Sequence, residues 1–324
     1  MEIGEFEFLR RLLPRLPKDA QVLVGPGHDC ACVRAGRGKW LLTTDSLVEG
    51  THFRPEWISP FALGWRAFAV NASDIAAMGG RPRFALVSLA VPARESAARL
   101  RQLERGIVAA ARSEGTVVVG GNLTRASELA VTLTLIGLAP RRLVSRAGAK
   151  VGQEIYVSGT LGDAALAVEL LRTTGSAPRA LLDRWRRPPS RVLLGRRLVE
   201  NGLASAMIDL SDGLVQDLAH VCRASGVGAV VRADWLPLSA AYRVQSGGHL
   251  EFALGGGEDY ELLFTVPRDH RTAVQRLADG VGCPLTRIGE VVAKPGVQVL
   301  DAAGKRLAIA KQGFDHFRTN REQR

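Results

Sequence analysis

Met207-Ile-Asp-Leu-Ser-Asp-Gly213 runs an apolar strand straight into a turn and a helix, and the rest of the chain reads outward from it. Ala206–Leu210 has the length and apolar content of a buried strand. Ser211-Asp212-Gly213 is the polar turn from which a helix runs through Ala224. The unit recurs in both directions. Glu154–Ser158 predicts a strand whose turn, Gly159-Thr-Leu-Gly162, opens a helix. Pro188-Pro189 precedes a helix over Ser190–Asn201, and Gly255-Gly-Gly257 stands before an apolar strand ending at Phe264.

In the first half, the runs Gln21–Val24 and Lys39–Thr44 predict strands that hand Asp29 and Asp45 to loops. Pro60–Met78 carries apolar residues at helical spacing and stops at Gly79-Gly80, which puts Asn71 and Asp74 on one helix face. Strands over Phe84–Val91, Thr116–Val119 and Glu128–Leu138, with a helix over Glu95–Ser113, complete the pattern. Strands alternating with helices predict an α/β (α+β) chain. Its two domains are expected at 1–142 and 143–324, divided in the basic, turn-like stretch Ala139–Lys150.

Composition narrows the function classes. With 46% apolar and 23% charged residues, a chain of 324 residues can bury a substantial core. No stretch approaches the roughly 18 uninterrupted apolar residues of a membrane span, and the N-terminus lacks the basic-then-apolar order of a secretory signal. The expectation is a cytoplasmic protein without a membrane partner. Cys30, Cys32, Cys222 and Cys283 form no Cys-x-x-Cys pair and read as reduced, buried thiols. The net charge of +11 would attract polyanions. It is carried overwhelmingly by arginines spread along the chain, which argues against a nucleic-acid partner and leaves a field that gathers phosphorylated substrates.

The chemistry lies in Asp29, Asp45, Asp74, Asp209 and Asp212, all at expected strand ends or on helix faces and starts. Taken singly, each is a cap or turn residue. Taken together, they would repel one another unless cations lay between them, and magnesium takes such carboxylates together with substrate phosphates. Gly120-Gly121, Gly159–Gly162 and Gly255–Gly257 are candidate phosphate cradles. There is no P-loop and no protein-kinase motif set, so ATP would be handled by another fold.

Read together, these segments resemble the thiamine-monophosphate kinase family, in the superfamily of aminoimidazole ribonucleotide synthetase, selenophosphate synthetase and the hydrogenase maturation dehydratase. The resemblance runs almost end to end, through Gly4-Glu-Phe6, Gly27-His-Asp29, Thr43-Thr-Asp45, Val48-Glu-Gly-Thr-His-Phe53, the helix Ala69–Gly79, Gly120-Gly121, Arg146-x-Gly-Ala-Lys150, Ile208–Gly213, Gly256–Leu262 and Gly313-Phe-Asp-His-Phe317. It implies an N-terminal domain whose strands form a β-barrel across a homodimer, a C-terminal α/β domain, and an active site in the cleft between them. It also implies direct in-line transfer of the ATP γ-phosphoryl group to thiamine monophosphate, with Mg2+ and without a general base. Carried over by motif, Asp29, Thr43, Thr44, Asp45, Asp74, Asn122, Asp209 and Asp212 would surround the magnesium ions. Gly121, Asn122, Arg146 and Ser211 would contact ATP, and His52, Glu258 and Phe314 would hold thiamine monophosphate.

Two departures stand out. The family usually has two aspartates where this chain has His28-Asp29, and an aspartate where it has Asn122. Two negative charges are thus missing from the implied cluster, which predicts weaker magnesium binding. Two other readings compete with the kinase: a synthetase of the same superfamily, and a nucleotide-binding homologue weakened in catalysis. The C-terminus Asn320-Arg-Glu-Gln-Arg324 lacks the reactive cysteine of the hydrogenase maturation protein, and Lys18 lacks the cysteine context of selenophosphate synthetase.

Overall fold

A computed structural model describes residues 10, 19–25, 27–36 and 38–309. Two six-stranded mixed sheets carry the chain. The first contains β1 (Val22–Val24), β2 (Ala31–Ala35), β3 (Gly38–Val48), β4 (Arg81–Pro92), β5 (Val117–Ala126) and β6 (Ala130–Leu138) in the order β1-β2-β3-β6-β4-β5. Its pairs are antiparallel except β4 with β5. The second contains β7 (Glu154–Ser158), β8 (Met207–Asp209), β9 (Gly228–Arg232), β10 (Leu262–Val266), β11 (Leu285–Val292) and β12 (Gly296–Leu300) in the order β12-β9-β11-β7-β10-β8.

Helix α1 (Pro60–Ala77) joins the two halves. Ser59 caps it, its hydroxyl accepting from Ala62 N at 3.2 Å with Pro60 in the first turn, and Gly79 at φ 66° releases the chain at the other end. Its C-terminal end is buried all round, with Ile75, Ala76, Ala77 and Met78 completely covered. It packs on β3 and β6, on helix α2 (Ala97–Ser113), and also on β8 and the helix Val192–Glu200 of the second half. A single helix therefore forms the wall shared by both sheets.

On β6 the pleat separates the two faces. Val131, Leu133 and Leu135 are buried toward α1, while Thr132 and Thr134 alternate onto the opposite face. In the second sheet the central strands β7 and β10 are buried on both sides, the polar Glu154, Ser158 and Thr265 included. Two strands run longer than expected from sequence. Asp45 stands inside β3, and the glycines at 120 and 121 stand inside β5, because pairing with the long strands β6 and β4 carries both ladders onward.

Candidate active site

Asp29 precedes β2, Asp74 lies on α1 and Asp209 ends β8, yet each offers a carboxylate oxygen within 4.8 Å of the others. Burial, then Asp209, Asp45 and Asp29, push the Asp74 carboxyl well above the usual carboxylate range. Asp209 is pushed up by burial and then by Asp29. Thr43 donates to Asp74 Oδ2 at 2.5 Å, and the Asp45 backbone N–H donates to Asn71 Oδ1 at 3.0 Å, so the expected shared face of Asn71 and Asp74 is the face turned to β3. Arg146 donates to both Asp29 oxygens, at 3.2 and 3.3 Å. His28 is held below its ordinary value by burial and by Arg146, which favours the neutral ring.

A second group adjoins the first. Asp212, Asp217 and His220 offer ligand atoms within 4.8 Å of one another. Taken singly, Ser211-Asp212 reads as a helix cap, but Gly213 occupies that position, and Asp217 from inside the helix Leu214–Ser225 accepts from the N–H groups of Asp212 and Gly213 at 3.1 and 3.0 Å. Asp217 is pushed up by burial, then by Asp212 and Asp209, and His220 is pushed down to about 4 by burial, then by Arg146 and Arg223.

The β pleat separates residues that sequence placed together. Thr43 and Asp45 pair with Leu135 and Leu133 on the α1 side, whereas Thr44 pairs with Thr134 on the opposite face, bonding to its hydroxyl at 3.0 Å. Asn122 shares that opposite face, in register with Ser88, Thr132 and Ser46. It lies three strands from β3, about 14 Å away at the usual strand spacing. The hydroxyl of Thr44 and the amide of Asn122 therefore stand apart from the carboxylate trio within one copy of the chain.

The glycine turns divide as well. A Cβ at Gly121 would lie 1.8 Å from Val87 O, so a glycine is needed for β5 to approach β4. Gly257 lets the 255–261 loop lie against Ser211, where Glu258 N donates to Ser211 O at 2.8 Å. Gly159–Gly162 is not an open phosphate cradle. Asp259 takes the Gly162 N–H with both oxygens at 2.9 and 3.0 Å, and Glu261 crowds Gly159, so carboxylates fill the space a phosphate would need.

Glu258 accepts from Arg66 at 2.5 Å and from the Trp185 indole at 2.8 Å. His52, in the turn after β3, accepts the Val48 N–H on Nδ1 at 3.0 Å. Phe314 lies outside the described residues, as do Gly4-Glu-Phe6 and the rest of Gly313–Phe317.

Residues 27–139 match the N-terminal domain of AIR synthase related protein, and 150–302 its C-terminal domain. The thiamine-monophosphate kinase of Salmonella typhimurium is 38% identical over 98% of this chain and 100% of its own length; that of Aquifex aeolicus is 35% identical over 98% and 99%. The chain belongs to the thiamine-monophosphate kinase family. Among solved structures, AaThiL complexed with AMPPCP and TMP is 34% identical, covers 98% of each chain and superposes with a TM-score of 0.83. The E. coli hydrogenase maturation protein HypE, at 20% identity and TM-score 0.73 over 94% of this chain and 96% of its own, shares the fold. The sequence motifs assign no role to Asp217, His220, Arg66, Trp185 or Glu261. A Glu261 signal was present in the Gly256–Leu262 motif; the other four carry no local signature.

Proposed function

We propose that this chain transfers the γ-phosphoryl group of ATP to thiamine monophosphate, giving thiamine diphosphate and ADP. The observation that carries the reading is the meeting of Asp29, Asp74 and Asp209 from three distant segments, in a chain aligned with thiamine-monophosphate kinases along their whole length. The related AaThiL, complexed with AMPPCP and TMP, supports a nucleotide and a thiamine phosphate as the two substrates.

The donor set fits magnesium: it is all-oxygen and anionic, and burial, then the neighbouring carboxylates, raise the carboxyls of Asp74 and Asp209. Asp29, Asp74 and Asp209 would hold Mg2+ directly, with Asp45, Thr43 and Asp212 around them. When bound, Mg2+ supplies charge neutralisation for the crowded phosphates. We assign Gly121, Asn122, Arg146 and Ser211 to ATP, and His52, Glu258 and Phe314 to thiamine monophosphate. Thr44 and Asn122, on the far face of the first sheet, would act on a phosphate chain that reaches past the sheet or on a second copy. The acceptor phosphate is already ionised, so positioning carries the catalysis and no residue is assigned as general base.

The same proposal divides the chain at 142/143, places the protein in the cytoplasm, and pairs two copies through β5. That edge strand exposes Val117, Val119 and Leu123, which supports a barrel closed across a homodimer. The test is ATP turnover with thiamine monophosphate and Mg2+, following ADP and thiamine diphosphate together, with free thiamine as control. Equal amounts of both products from the monophosphate alone are expected. Nucleotide binding without thiamine diphosphate at any Mg2+ or Mn2+ concentration would replace the kinase with a binding homologue.

A further inference from the structure

Arg66 is fully buried, although a guanidinium seldom is. It projects from α1 into the second half of the chain. Its Nη1 donates to the Trp185 carbonyl, in the last turn of the helix Arg179–Arg186, and its Nη2 donates to Glu258 Oε1 at 2.5 Å. The Trp185 indole donates to the other oxygen, Oε2, at 2.8 Å. The guanidinium also lies over the rings of Trp185, at 5.4 Å, and Tyr260, at 5.6 Å. Both Glu258 oxygens are thereby fixed by donors, while 27% of its side chain stays exposed. Glu258 and Tyr260 hold φ of 72° and 50°, a left-handed backbone that ordinary side chains avoid and that the surrounding contacts must impose.

Stability alone does not account for this arrangement, since buried ion pairs are commonly replaced by apolar side chains without loss. The helix that holds Arg66 also carries Asp74, eight residues on, about 12 Å along its axis. We propose that Arg66 is a positioning residue for the phosphoryl acceptor: it fixes the Glu258 carboxylate relative to α1, and so sets the acceptor's distance from the carboxylate trio. This rests on the assignment of Glu258 to thiamine monophosphate. A lysine cannot reproduce the two-way planar bridge, and Trp185→Phe removes the indole donor while keeping the ring.

Steady-state kinetics of the unsubstituted chain, Arg66→Lys and Trp185→Phe, with KM measured separately for thiamine monophosphate and ATP, test it. The expected result is an acceptor KM raised about tenfold in Arg66→Lys and about threefold in Trp185→Phe, with the ATP KM within twofold. An unchanged acceptor KM, or equal rises for both substrates, would overturn the positioning role while leaving the kinase reading intact. No turnover by the unsubstituted chain would remove both. Should Arg66→Lys fail to fold, Trp185→Phe decides alone.

Discussion

Asp29, Asp74 and Asp209 gather negative charge in a buried place, and burial, then neighbouring carboxylates, raise the carboxyls of Asp74 and Asp209. A divalent cation would bind such a trio and stabilise the fold by mass action. Melting temperature followed against MgCl2 in nucleotide-free protein should therefore rise. In Asp74→Asn the midpoint of that rise should move to about tenfold higher Mg2+. Asn122→Asp should leave the same curve unchanged, because position 122 lies on the opposite face of the sheet, three strands from β3. An Asn122→Asp curve shifted toward lower Mg2+ would restore residue 122 to the trio. The five aspartates were legible in sequence because each sits beside glycines or at a predicted strand end or helix face. Arg66 was not legible, since its partner Glu258 is 192 residues away and no local pattern marks a buried arginine.

Among elements, the start of β10 is held by a charge network. Glu261 is fully buried, and it accepts from Arg191 at 2.5 and 2.7 Å, from Arg184 at 2.5 Å and from Ser158. Burial alone would raise its carboxyl, but Arg191 and Arg184 outweigh burial and hold it below the ordinary value. A carboxyl lowered in the folded state contributes stability above its unfolded pKa, and that contribution is lost as pH falls through the folded value. Glu261→Gln should cost about 3–5 kcal/mol at neutral pH. Denaturant unfolding should show that difference shrinking below about pH 4, where the native chain loses what the variant never had. A constant gap down to acid pH would mean that the network holds by packing rather than charge. The helices were readable from their apolar spacing and glycine stops, as Pro60–Met78 and Gly79-Gly80 show for α1. The ends of β3 and β5 were not, because a ladder's length is set by the partner strand, and Asp45 and Gly121 are extended by neighbours far away in sequence.

At the scale of the whole molecule, α1 makes the two sheets one machine, and β5 leaves that machine with a bare edge. Leu123 is 66% exposed there, with Val117 and Val119 beside it. If that edge joins two copies, Leu123→Lys should convert a dimer to a monomer in sedimentation velocity and lower turnover with it, the buried lysine charge opposing the seam. A Leu123→Lys protein that stays dimeric places the seam elsewhere. The same edge bears on how the protein is made. The first sheet is synthesised before the second and can form early, with its outermost N–H and C=O groups still lacking partners. An extended segment of any unfolded neighbour can add to that strand, so crowding of nascent chains sets assembly against aggregation. Refolding yield should thus fall as chain concentration rises, and the lysine that weakens the seam would act there as a gatekeeper.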